Sequence, residues 1–296
     1  LEALIPPFVE YLSFEKRYSG HTIRAYHDDL TSFAGYIRQE FGGMALQEIT
    51  PAVVRSWLAS LKEAGLTYRS VNRKISSLRS FYKFQLRMGT VAQTPMTAIV
   101  APKSARRLPV FVERGAMEEL FGEVQFPDDW EGRTDRILLA LLYQTGIRLS
   151  ELIRLKEAQV DAGNRTIKVL GKGNKERVIP ISGELATVLR DYKEDKRGRF
   201  EAPDRDVLLV GPKGQQLYPA YVYRAVRAYL AKVTTIDKKS PHVLRHTFAT
   251  HLMNAGAELN SVKELLGHAS LAATQVYTHN TIEKLKDVYK NAHPKA

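Results

Sequence analysis

The 296 residues, 44% hydrophobic and 26% charged, suffice for one large domain or two ordinary ones that bury cores without cross-links, and no apolar run approaches the roughly 20 residues that span a bilayer. The absence of cysteine excludes all-cysteine zinc sites, thiolate chemistry and disulfides, and the opening residues do not read as a signal peptide, so a cytoplasmic protein without membrane insertion is expected. A formal charge of +12 favours nucleic acid, an anionic membrane surface or an acidic protein as partner.

That charge is uneven. Residues 1–107 carry 15 Lys or Arg against 8 Asp or Glu, residues 108–296 carry 29 against 24, and residues 64–107 hold nine basic side chains and no acidic one. A basic surface there can neutralise several phosphates, an attraction that weakens as salt rises.

In chain order, the first hundred residues predict helices separated by short turns. Phe8, Tyr11, Leu12 and Phe14 suggest an opening apolar face, and Ile23, Tyr26, Leu30, Phe33 and Ile37 give a second helix over 22–37. Thr50 before Pro51 reads as an N-cap with proline in the first helical position, ahead of Val53, Val54, Trp57 and Leu61. Over 69–87, Val71, Ile75, Leu78 and Tyr82 share one face, and Arg69, Arg73, Ser76, Ser80, Lys83 and Arg87 take the opposite register. That face suits a DNA backbone, and it equally suits an ordinary solvated surface. Residues 96–109, proline-containing and carrying Lys103, Arg106 and Arg107, predict an extended linker between a helical domain over 1–95 and a larger one over 110–296.

The second part predicts helices over 115–121 and 133–143 and a stop at Gly146. Strands over 166–170 and 177–181 follow, joined by a glycine-containing turn. Further helices are expected over 219–233, 242–253 and 261–266, the last with Ser261 and Glu264 as a capping box and Gly267 as its end. The fold class is therefore mainly α with a small β-sheet.

His242 and Arg245, three apart on one helix, can meet the same ligand, and Arg148 follows the Gly146 break. Two arginines match the nonbridging oxygens of a phosphodiester, although surface ion pairing explains either one alone. Lys172 stands between two glycines, where its ammonium can reach a leaving oxygen, while its neighbours Lys175 and Arg177 can instead hold the DNA backbone; a merely structural or electrostatic turn explains the pattern equally. His268 follows Gly267, and Tyr277 lies nine residues further on. A phenol can attack phosphorus if it is positioned and loses its proton, but most tyrosines serve packing. His242, His246 and His251 lack the spacing and companions of a zinc site, so no metal is expected.

The order of Thr-Gly-Ile-Arg-Leu-Ser-Glu-Leu (145–152), Gly-Lys-Gly-Asn-Lys-Glu-Arg (171–177), His-Val-Leu-Arg-His-Thr-Phe-Ala-Thr-His-Leu (242–252), Leu-Leu-Gly-His (265–268) and Val-Tyr-Thr-His (276–279) resembles the tyrosine recombinase family, most closely its Xer branch, along nearly the whole chain. The resemblance implies a helical, SAM-like core-binding domain followed by a mixed α/β catalytic domain. It implies that Arg148, Lys172, His242, Arg245 and His268 surround a scissile phosphate with Tyr277 as nucleophile. The arginines would clamp oxygens, Lys172 would protonate the leaving 5′ oxygen, His242 would assist proton transfer, and His268 would hold the phosphate.

Such chemistry conserves bond energy in a 3′-phosphotyrosyl linkage and needs no ATP, redox cofactor or metal. The resemblance further implies four protomers on two duplexes carrying a specific recombination site, a four-way junction, and resolution of chromosome or plasmid dimers. A related recombinase and a DNA-translocating motor are possible partners, with the protein on nucleoid or plasmid DNA. A mobile-element integrase with the same chemistry and a noncatalytic DNA-binding protein are the competing readings. The tail residues Ile282, Leu285, Val288 and Tyr289 form a partial apolar stripe that suits packing on a neighbour or on its own domain. The basic face of 69–87, with Lys103, Arg106, Arg107 and Lys175, is expected on DNA, the two domains closing on it as a clamp.

Overall fold

In the computed structural model, residues 1–103, 110–171, 176–201 and 206–267 are described, and the chain divides into two units, Leu1–Arg107 and Leu108–Ala296.

The first unit contains α1 (Ile5–Glu10) running into a wide turn over Tyr11–Glu15, then α2 (Gly20–Phe41), α3 (Pro51–Glu63) and α4 (Tyr68–Arg87). Each of the three longer helices starts at a hydroxyl cap: Ser19 accepts from the Thr22 amide at 3.3 Å, Thr50 from Val53 at 3.4 Å and Thr67 from Ser70 at 3.3 Å. Phe8, Leu12, Phe33, Trp57, Ile75, Leu78 and Tyr82 fill the core. Phe14, expected on the apolar face, is instead 79% exposed, because two residues beyond buried Leu12 it lies on the far side of the helical turn.

The stretch read as linker from residue 96 begins inside this core. Pro95–Ala98 forms a tight helical turn capped by Thr94, and Met96 and Ile99 are buried. Arg79 on α4 donates to the Ile99 carbonyl at 2.6 Å, and Asn72 donates to that of Pro102 at 2.9 Å. The proline count suggested extension, but the apolar side chains between the prolines find a hydrophobic surface to cover.

In the second unit α5 (Arg114–Gly122) and α6 (Trp130–Thr145) precede the short α7 (Leu149–Ile153). The antiparallel strands β1 (Val160–Asp161), β2 (Thr166–Leu170) and β3 (Glu176–Pro180) follow in spatial order β1-β2-β3, with Val169 opposite Arg177. Next come α8 (Gly183–Arg199), α9 (Pro219–Val233), α10 (Pro241–Asn254) and α11 (Leu259–Leu266). From Ile137 to Thr145 every residue of α6 is buried, so this helix is the axis of the unit. Helix α8 has only a weakly one-sided pattern, and the sequence reading did not find it; its buried side is Leu185, Ala186, Leu189 and Tyr192.

The expected capping box of α11 is corrected. The helix begins at Leu259 with Glu258 as N-cap, so Ser261 sits inside it and is buried. The left-handed Gly256 (φ 90°) turns the chain early enough for the helix to start before Ser261.

Candidate active site

Two left-handed glycines shape the site. Helix α6 ends at Gly146 (φ 58°), where an added Cβ would meet Phe248 Cδ1 at 2.5 Å and Leu266 Cδ2 at 2.8 Å. Helix α11 ends at Gly267 (φ 62°), where a Cβ would lie 3.1 Å from Arg177 Cδ. Only glycine serves where the backbone is left-handed and the neighbours approach this closely. The first turn delivers Arg148 to the N-cap of α7, and the second brings the carbonyl end of α11 against three arginines.

Those arginines take successive carbonyls. Arg177 Nε donates to Leu265 at 2.8 Å, Arg245 Nη2 to Leu266 at 2.5 Å and Arg148 Nη2 to Gly267 at 2.7 Å. The end of a helix is the place where orphan carbonyls and the negative end of the dipole favour cations. Arg245 Nη1 also donates to the Gly146 carbonyl, tying the two glycine turns together.

Glu151 balances the cluster. Its Oε2 accepts from the Arg148 amide at 2.8 Å, its Oε1 from Arg148 Nη1 at 2.7 Å, and both oxygens accept from Arg177 at 2.9 and 2.7 Å. Burial alone would raise its pKa, but hydrogen bonds from Arg177 and then Arg148 hold it at about 2. Burial beside Arg148 and Arg177 pushes Arg245 down to about 9, which leaves it charged at neutral pH.

His242 begins the same helix as Arg245, one turn earlier, and is exposed at its edge. Desolvation, then His246, Arg245, Lys238 and Arg148, lower its pKa, so the ring is neutral and able to accept a proton at pH 7. The three histidines of α10 diverge: His246 is exposed, and buried His251 bonds the Tyr143 hydroxyl through Nδ1 at 3.1 Å. Among the described residues no group of three or more His, Cys, Asp or Glu is placed to share a metal ion.

Of the expected reactive set, Arg148, His242 and Arg245 are therefore brought to one place, while Lys172, His268 and Tyr277 lie outside the described residues, as do Lys175, Arg106, Arg107 and the tail stripe from Ile282 to Tyr289. Arg177, read as a possible contact to the DNA backbone, is instead committed inside the protein, its side chain 10% exposed. Glu151 had no role in the sequence reading. Its only signal was its place three residues after Arg148, the N3 position of a capping box.

The basic face of α4 is mixed. Arg69, Lys83 and, beyond the helix, Lys103 are exposed. Arg73 is half-exposed but bonds Asp29 at 2.8 Å and the Ala25 carbonyl at 3.2 Å, and Arg87 pairs with Glu15 at 3.1 Å while lying over the Tyr11 ring.

Residues 5–89 match the phage integrase N-terminal SAM-like domain, and residues 117–284 match the phage integrase family. The chain is 40% identical to the tyrosine recombinase XerC of Oceanobacillus iheyensis, covering 100% of this chain and 97% of the relative. It is 36% identical to that of Chlorobaculum parvum, covering 99% and 94%. The crystal structure of XerH site-specific recombinase bound to palindromic difH substrate, a post-cleavage complex, shares the fold with a TM-score of 0.72 at 24% identity, over 90% of this chain and 78% of that one. The family match and the full-length identity show that this chain belongs to the phage integrase family, among the tyrosine recombinases of the Xer type.

Proposed function

We propose that this chain is a site-specific recombinase that breaks and rejoins duplex DNA through Tyr277. The observation that carries the proposal is the convergence of Arg148 and Arg245 on the carbonyl end of α11. Two permanent cations held there offer N–H groups to the nonbridging oxygens of a phosphodiester and oppose the charge that builds up as phosphorus becomes five-coordinate.

The Tyr277 oxygen attacks phosphorus as the bond to the 5′ oxygen breaks. The phenolic proton leaves with the help of neutral His242, Lys172 supplies a proton to the departing 5′ oxygen, and His268 holds the phosphate. One phosphodiester is exchanged for another, a 3′-phosphotyrosyl bond, and a 5′ hydroxyl from a second strand reverses the step with a new partner. The sign of the His242 shift supports its part, because a ring already protonated at pH 7 accepts nothing.

The basic residues Arg69, Lys83 and Lys103, with Arg106, Arg107 and Lys175, contact the backbone of a recombination site. Four protomers act on two duplexes at a time. The likeness to XerC relatives over the whole chain supports a role in resolving chromosome or plasmid dimers on nucleoid or plasmid DNA, alone or with a related recombinase, under a DNA-translocating motor.

The test is covalent capture on duplexes lacking a nucleotide beside the cleavage position, so that the released 5′ fragment diffuses away. The duplex is selected from a randomised library by the wild-type protein. An adduct at Tyr277, abolished by Tyr277→Phe with DNA binding retained and undiminished by chelation of divalent ions, is the expected result. An adduct on another residue, or full capture by Tyr277→Phe, rejects the mechanism.

A further inference from the structure

Arg177 is the one guanidinium of the cluster to which the proposed chemistry gives no task. All three of its guanidinium nitrogens donate within the protein, and Arg148 keeps more of its side chain in solvent, 27% against 10%. Arg177 makes the more complete set of internal bonds: a fork on both oxygens of Glu151 at 2.9 and 2.7 Å, and a third bond from Nε to the Leu265 carbonyl at 2.8 Å. It thereby joins three elements, β3 on which it stands, α7 through Glu151, and the end of α11.

The division of Glu151 between the two arginines has a consequence for Arg148. A carboxylate facing one arginine takes its planar fork in two parallel bonds. Here the Arg177 fork occupies that arrangement, and Arg148 reaches Glu151 with Nη1 and its backbone amide only. Its Nη2 is left to the Gly267 carbonyl, on the side where Arg245 also points. Without Arg177, Glu151 would draw both Nη atoms of Arg148 onto itself and turn the guanidinium away from α11.

We propose that Arg177 is a positioning residue, which by occupying Glu151 and the end of α11 keeps the Arg148 guanidinium aimed at the scissile phosphate. The inference rests on the reading of Arg148 as a phosphate-binding residue. It separates Arg177 from the DNA contacts around it in sequence, because its work is done on the protein.

Lysine at this position keeps the charge but cannot span two carboxylate oxygens and a carbonyl at once. With the selected duplex at saturation, Arg177→Lys should bind DNA within about threefold of wild type and form the Tyr277 adduct roughly 100-fold more slowly in a single turnover, since a displacement near 1 Å in a reacting group costs about that factor. The double variant with Glu151→Gln should be no slower than the slower single variant, because both remove the same tie. Lys196→Met, which removes a fully buried cation paired with Glu157 elsewhere in the unit, serves as the stability control and should capture at the wild-type rate below its melting temperature.

A second readout needs no DNA. Carbon NMR of the Glu151 carboxyl should show its titration moving up in Arg177→Lys. Capture by Arg177→Lys within about threefold of wild type, losses that multiply in the double variant, or an unmoved Glu151 titration would each overturn the proposal. If the wild-type protein forms no adduct at Tyr277, the functional reading fails separately, and the carboxyl titration alone then decides whether the tie exists.

Discussion

Among the described residues each unit sinks a carboxylate among cations, Asp29 in the first and Glu151 in the second, and the two clusters are built differently. In the first, Asp29 on α2 is 1% exposed and accepts from Arg73 at 2.8 Å, Lys74 at 3.0 Å and Ser77 at 2.8 Å, all from α4. Its partners come from a single helix, and the result is a clasp between two helices that the apolar core already brings together. In the second, Glu151 is met from two separate elements, and the two arginines that bond it reach onward to the Gly267 and Leu265 carbonyls at the end of a third. The same physics, a desolvated charge stabilised only by well-placed partners, closes a packing contact between two helices in one place and ties a helix start, a strand and a helix end together in the other. The difference lies in what the cations reach beyond the carboxylate: Arg73, half-exposed, turns back to the Ala25 carbonyl of α2, whereas Arg148 and Arg177 go on to the end of α11.

The contrast is sharpest under paired substitution. Asp29→Asn and Glu151→Gln each leave cations without their counter-charge, and each should cost its unit about 3 kcal/mol in urea unfolding. Only Glu151→Gln should also slow covalent capture, by roughly 100-fold at saturating DNA. Equal capture rates for the two folded variants would erase the distinction between clasp and orienting group.

Acid gives a second, slightly smaller lever. Glu151 is held at about 2, below the 4.5 usual for a glutamate, so its contribution to stability is complete above about pH 5 and is lost as pH falls through the folded value. The full loss is on the order of 3 kcal/mol, at roughly 1.4 kcal/mol per pKa unit, with about half of it reached near pH 3 and most of it by about pH 2. Unfolding midpoints of wild type and Glu151→Gln should therefore converge between about pH 5 and pH 2, the difference cancelling carboxylates common to both. Parallel curves across that range would place the stabilisation elsewhere.

The smallest effect separates exposed from buried pairing. Arg87 pairs with Glu15 while half-exposed, so Arg87→Ala should change stability by no more than about 1 kcal/mol. If the residue does reach phosphate, the same change should lower the slope of log affinity against log salt by about 1. An unchanged slope would leave it to the Tyr11 ring and Glu15 alone.

The family and the local placing of Arg148, His242 and Arg245 were legible in the sequence because the motifs are local: Arg148 follows a glycine stop, and His242 and Arg245 share a helical face by spacing alone. The α4 stripe, the Thr50 cap and the Gly267 terminus were legible for the same reason, since periodicity and capping act within a few residues. The burial of Met96 and Ile99 was not, because a proline-containing stretch looks alike in sequence whether or not a core lies beside it. Nor was the part played by Glu151 and Arg177, separated by 26 positions along the chain.

The sequence by itself thus determined the chemistry on offer, the helices that carry it and the points where the backbone must reverse. Only the tertiary structure decided which cations serve the fold and which remain available to a ligand. Charge and spacing are alike for Arg73, Arg87, Arg148 and Arg177 along the chain, and what separates them is whether a carboxylate or a carbonyl from a distant segment arrives within hydrogen-bond reach. That arrival is set by the packing of apolar side chains between elements, a long-range property that no local pattern contains.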